Sequence, residues 1–174
     1  MLNLLLLDTD VIINLHELGI WEAILKKYNV YVASTVIHVE AVYYEDKKTH
    51  EKMKIDLRDS VAKKLIHEIC ATAEEQKRIK DLLSKKRLAY IVPDAGELEA
   101  MAIVNEKKIE GLQFCTVDDL AQKIMVHLGL ETDIVAFETV LKELGVLRRN
   151  QQIASSWTEK KLAHVRTNVR MGIL

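Results

Sequence analysis

Five acidic residues stand where a folded chain ordinarily places apolar ones. Asp8 ends the run Leu4-Leu5-Leu6-Leu7, and Glu40 falls on the apolar side of a helical pattern. Glu97 opens a segment rich in Ala, Met and Ile, and Asp118 and Asp119 follow Phe114-Cys115-Thr116-Val117. A carboxylate taken out of water is costly unless it is paired with a cation or hydrogen-bonded throughout. No Lys or Arg recurs beside these acids at matching spacing. A shared divalent metal ion is the simplest single explanation for them.

The elements that must position these acids follow from the hydrophobic pattern. Residues 2–7, apolar but for Asn3, read as a strand buried on both faces of a parallel sheet. A helix is predicted over 14–27 and a second strand over 30–33. Ser34 is then a fitting N-cap for a helix reaching Tyr44. The highly charged stretch within 45–88 reads as two or three surface helices, a helical elaboration on the sheet. Residues 90–92 read as a short strand, followed by Pro93 and a helix over 94–107. A strand over 113–117 leads into a helix over 119–128 that Gly129 closes. An extended piece near Glu131 precedes a helix over 134–144, and the tail turns helical after Trp157. Strands alternating with helices predict an α/β fold built on a parallel sheet.

In open parallel sheets ligands bind outside the carboxyl ends of the strands, and that is where Asp8 and Asp118 fall. Glu40 is four and three residues after Val36 and Ile37, so a helix through it would share their inward stripe. Glu97 leads onto Ala100, Met101 and Val104, and Glu99 onto Ala102 and Ile103. Asp118 leads onto Ala121 and Met125, whereas Asp119 leads onto Gln122 and Lys123, a wetter face. Local roles compete with this reading. Asp94 and Glu97 have the spacing of a capping box, and Asp118 or Asp119 could cap the next helix.

Bulk properties narrow the class. The 174 residues and 49% apolar content suit one domain with a real core. Cys70 and Cys115 match no ligand spacing and read as reduced core thiols of a cytoplasmic protein. The apolar start is broken by Asp8 and Asp10, too soon for a membrane span or a secretory leader. Net charge is −1. It is uneven: from Arg148 onward six basic residues face the single acid Glu159, so the tail is +5 and the remainder −6.

In order along the chain, these residues resemble the PIN-domain nucleases. Leu6-Leu7-Asp8-Thr9-Asp10-Val11 is similar to that family's opening strand and turn. Ser34 to Glu40 is similar to its second motif, and Gly96-Glu97-Leu98-Glu99-Ala100 to a form of its third. Thr116-Val117-Asp118-Asp119-Leu120-Ala121 is similar to its fourth. The resemblance covers 1–147 and leaves 148–174 as a basic C-terminal extension. It implies a three-layer Rossmann-like sheet flanked by helices, a carboxylate pocket for Mg²⁺ or Mn²⁺, and hydrolysis of RNA. Asp8 would be the central catalytic and metal-binding acid. Glu40, Glu97 and Asp118 would complete the set, with Asp119 as a helper. Many members carry Asp at the third position, and here either Glu97 or Glu99 would serve. Hard divalent cations take oxygen ligands, which suits this set.

Substrate contacts are expected from Thr9, whose hydroxyl could instead bond its own turn, and from Arg148, Arg149, Arg166 and Arg170, which would hold RNA phosphates. Many small stand-alone members are toxins held by an antitoxin, so an antitoxin-like partner and a homodimer are the associations implied. Two rival readings remain. One is a non-catalytic RNA- or protein-binding module of the same fold. The other is a haloacid-dehalogenase-like phosphatase, whose opening Asp8-Thr9-Asp10-Val11 also resembles and which would use Asp8 and Asp10.

Overall fold

A computed structural model describes residues 3–40, 42–46, 49–88, 90–147 and 152–173. Among the described residues, five strands form one parallel sheet in the order β5-β2-β1-β6-β7. They are β1 (Asn3–Leu7), β2 (Tyr28–Ala33), β5 (His67–Ile69), β6 (Gln113–Cys115) and β7 (Ile134–Val135). Helices flank this sheet, giving the Rossmann-like three-layer α/β arrangement. Strand β1 is central because its residues are apolar without alternation. Leu5, Leu6 and Leu7 are all buried, so both faces are covered.

The helix expected over 14–27 is two helices. Helix α1 (Thr9–Glu17) begins earlier because Asp8 caps it, and α2 (Trp21–Lys27) follows a break at Gly19, whose φ is +67°. Only glycine adopts that conformation without strain. The helix after Ser34 is also shorter than expected. Helix α3 (Ser34–His38) holds Val36 and Ile37, whose branching at Cβ weakens a helix. It stops before Glu40, and the Val39 and Glu40 N–H groups both close back on the Thr35 carbonyl.

The segment within 45–88 departs most from expectation. Strands β3 (Tyr43–Glu45) and β4 (Lys52–Lys54) form an antiparallel hairpin. Helix α4 (Leu57–Ala62) leads to β5, an edge strand of the main sheet, and α5 (Ala73–Lys85) follows. An edge strand pairs on one side only, so His67 and Glu68 are tolerated there and no apolar run announces it. Residues 91 and 92 form no strand, and the Ile91 N–H bonds the Leu88 carbonyl in a turn.

Helix α6 (Ala95–Asn105) is buried along nearly its whole length, from Gly96 through Val104. A helix apolar all round belongs in the interior, and α6 lies against β2, β6, α3 and α5. Helices α7 (Asp119–His127) and α8 (Phe137–Glu143) follow β6 and β7. The chain then makes a 3-10 turn at Ser155–Trp157 and ends in α9 (Glu159–Arg170). Trp157 packs edge-on against Phe137, with ring centroids 5.0 Å apart. Cys115 is buried as expected, but Cys70 is exposed and is no core thiol. No described helix is long and apolar enough to cross a membrane.

Helix α9 packs on α7 and α8 and buries Leu162 and Val165. Leu162→Ala should cost about 2–5 kcal/mol of stability, read as a lowered urea midpoint. An unchanged midpoint would mean that α9 is not docked.

Candidate carboxylate site

The sheet order reverses between β1 and β6, and the crevice at such a reversal lies outside the strand ends. Asp8 follows β1 there, and its N–H bonds the Cys115 carbonyl at 3.2 Å. One carboxylate oxygen accepts the Thr9 N–H at 2.8 Å and caps α1. The other accepts the Thr116 hydroxyl at 2.6 Å. The Thr116 oxygen in turn accepts the Asp118 N–H at 3.1 Å. Asp118 caps α7 by accepting from the Ala121 N–H at 2.8 Å. One hydroxyl therefore joins the ends of two neighbouring strands and the two acids that follow them.

Helix α6 supplies the third acid. Asp94 and Glu97 form the reciprocal capping box: the Glu97 N–H donates to Asp94 at 2.7 Å, and the Asp94 N–H to Glu97 at 3.1 Å. Glu97 is 8% exposed, as is Asp8. Glu40 arrives from the turn after α3, where its carboxylate accepts the Thr9 hydroxyl. A Cβ at position 96 would overlap that carboxylate and press on Val36, so Gly96 keeps the space that Glu40 occupies. Glu99 serves a different purpose. It accepts the Thr35 N–H at 2.7 Å and the Ala71 N–H at 3.0 Å, clipping α3 to the chain after β5. Of the two glutamates that the sequence left open, Glu97 therefore joins the other acids.

Burial and like charge make this a proton-hungry cluster. Burial pushes the Asp8 carboxyl up to about 6 against the Thr116 and Thr9 hydrogen bonds, with Asp10 and Asp94 adding repulsion. Glu97 rises to about 8, first through burial and then through Asp94, Asp118 and Asp8. Glu40 is also raised, by burial and by Asp94 and Asp10, although its bond from Thr9 opposes this. The charges named here as acting on these three groups are all negative. Asp94, read from sequence as a cap, and Asp10 are thus part of the same field. Thr116 and Gly96 were not singled out as site residues; a hydroxyl two residues before Asp118 was the available signal for the first.

Other expected members lie elsewhere. Glu40 reaches the cluster, but from a turn and not from a helix face. Asp119 is drawn into ion pairs with Lys123 at 2.8 Å and Lys161 at 2.7 Å, so its carboxylate is engaged away from the other acids. The i, i+4 spacing to Lys123 was readable in the sequence. Thr9 lies inside the cluster, and its hydroxyl is given to the Glu40 carboxylate. Arg166 donates to the Glu131 and Ile134 carbonyls, and Arg170 pairs with the Glu131 carboxylate. Both hold the chain entering β7 at its amino end, whereas the acids follow the carboxyl ends of β1 and β6. Arg148 and Arg149 lie outside the described residues.

The donor set is all oxygen, which fits a hard cation such as Mg²⁺ or Mn²⁺. Asp8, Glu97, Glu40 and Asp118 would hold it. Among the described residues, no three acid, imidazole or thiol groups already stand as a metal-binding group. The carboxylates are instead turned to N–H and O–H donors. Compared with known proteins, the chain matches no protein-family model and no curated protein sequence.

Groups whose proton affinity rises on folding stabilise the protonated fold, and that stability is lost as pH climbs through the folded values. In a chelator, the melting temperature should fall between about pH 5 and about pH 8.5, through the window set by Asp8 and Glu97. Glu97→Gln should flatten that slope. A divalent cation should raise the melting temperature most at the high-pH end, where the ligands are ionised. A slope that Glu97→Gln leaves unchanged would place the titration outside the cluster.

Proposed function

We propose that this chain is a divalent-metal-dependent endoribonuclease that hydrolyses RNA phosphodiester bonds at the carboxylate cluster. The observation that carries the reading is the convergence of Asp8, Glu40, Glu97 and Asp118 from four separate segments at the reversal point of a parallel sheet. Their order along the chain is that of the resemblance to PIN-domain nucleases. When bound, a hard cation of this kind activates water and neutralises charge on the leaving oxygen.

The chain's own residues have separable tasks in this reading. Asp8 is fixed by two donors from different elements, so its direction is set before any ligand arrives. Glu97 rests protonated near neutral pH and releases that proton when positive charge enters. Glu40 is steered by Thr9 and given room by Gly96. Asp118 keeps one oxygen on its helix cap. A role as toxin with an antitoxin-like partner, or as a homodimer, belongs to the same proposal.

A non-catalytic RNA-binding module is the second reading. What favours it is the internal hydrogen bonding of the acids, which leaves no described trio arranged for metal. The phosphatase reading would rest on Asp8 and Asp10 alone.

Cleavage of a mixed single-stranded RNA panel with Mg²⁺ or Mn²⁺ decides among them. Asp8→Asn should lower metal-dependent cutting at least about 100-fold, the scale expected when a central electrostatic group is lost. Gly96→Ala should keep the fold, because the roughly 1 kcal/mol by which alanine favours a helix offsets the pressure on Val36, yet cut poorly because Glu40 is displaced. Metal binding without cutting would favour the binding module. Phosphatase activity abolished by Asp10→Asn would favour the third reading.

A further inference from the structure

An RNA backbone would need cations beside this site, and Arg166 and Arg170 are instead engaged by the chain entering β7. A different feature lies next to it. A cleft of about 610 Å³ opens between the turn after α3, the β3–β4 hairpin and α4, and Glu40 lines it. The acid that reaches Thr9 is thus also the wall of a cavity the other acids do not line.

That cleft has the parts of a backbone track. Ile37, Val42, Ile55 and Leu57 are buried and make an apolar floor. Lys54 and Arg58 bring positive charge, and the Arg58 guanidinium is held in place by a 3.1 Å bond to the His38 carbonyl. The acids among its walls are engaged locally: Asp56 caps α4, and Asp59 pairs with Lys63 at 2.6 Å. His38 is likewise paired with Glu68. At the rim stands Tyr43, 39% exposed, with the Lys52 ammonium 5.6 Å from its ring centre. Val39, another wall residue, is exposed, as is Met53, which pairs across the hairpin with Tyr44. The hairpin is fixed from behind, because Tyr44 packs on the His16 ring, which stacks on Trp21.

We propose that the hairpin cleft binds the single strand of RNA flanking the phosphate presented to the acids, with Lys54 and Arg58 on its phosphates and Tyr43 stacked on a base. This rests on the ribonuclease reading and names how that site receives its substrate. Aromatic stacking beside a positive groove is the general solution for single strands. Of the four site acids, Glu40 shares this cavity with Lys54 and Arg58, so a polyanion held there reaches the margin of the acidic pocket.

The test uses a labelled mixed-sequence single-stranded RNA, with binding read by anisotropy in chelator and cutting read with Mn²⁺. Lys54→Glu combined with Arg58→Gln should weaken binding at least tenfold and reduce the salt slope by about 1.4, the value for two phosphate contacts on a single strand. Tyr43→Ala should weaken binding about tenfold with the slope unchanged. Lys77→Glu, on the exposed face of α5, should change neither. All of these positions are exposed, and an unchanged melting temperature would verify folding. If the wild type cuts and the cleft variants bind and cut as it does, the cleft inference falls and the nuclease reading stands. If the wild type neither binds nor cuts RNA, both fall. Weakened binding in a wild type that binds without cutting would keep the cleft and overturn only the catalytic reading.

Discussion

The carboxylate of Asp8 has been taken almost wholly out of water, and much of the surrounding structure answers that fact. An unsupported buried carboxylate would not be tolerated. Here one oxygen starts α1 through the Thr9 N–H, and the other takes the Thr116 hydroxyl from the neighbouring strand end. The Asp8 N–H adds a bond to Cys115. Strand β1, strand β6, helix α1 and, through Thr116 and Asp118, helix α7 are thereby registered at one point. Even with these bonds, burial keeps the Asp8 proton affinity high. The site holds unrelieved negative charge that a cation would relieve.

Helix α6 illustrates how one element serves packing and chemistry together. It is buried nearly throughout and would make an ordinary core helix but for its first turn. Glycine inside a helix costs about 1 kcal/mol relative to alanine. Gly96 repays its presence by leaving room for Glu40. One residue on, Glu97 faces the acids, and two further on Glu99 clips α3 and the chain after β5 by backbone N–H groups. Glutamates two apart point to different sides of a helix, so one enters the cluster and the other braces the wall that carries Glu40.

Charge is partitioned by location more than by amount. Among the described residues, Lys161, Arg166 and Arg170 of the tail do not form a single patch. Lys161 neutralises Asp119, while Arg166 and Arg170 secure the chain entering β7. Positive charge with access to a cavity is found at the hairpin instead, on Lys54 and Arg58. A charge count over sequence cannot distinguish these cases, because a guanidinium satisfied by carbonyls and one facing a cleft are the same residue.

The sequence by itself determined the α/β class, the buried first strand, seen over Asn3–Leu7, and the presence of anomalous acids at strand ends. Each is local: an uninterrupted apolar run requires burial on both faces, and an acid beside it is conspicuous whatever the neighbours do. The Asp94–Glu97 capping box and the closing Gly129 were legible for the same reason. Only the tertiary structure decided the rest. Edge strand β5 and the β3–β4 hairpin carry no apolar run, since one-sided or exposed pairing asks for none. Glu40 was found for the wrong local reason, its turn bringing it to Thr9 where a longer helix had been expected. The choice of Glu97 over Glu99, the pairing of Asp119 with Lys161 and the placement of Arg166 all depend on partners 28 to 64 residues away. Such pairings are set by how helices dock on the sheet, and no spacing along the chain encodes that.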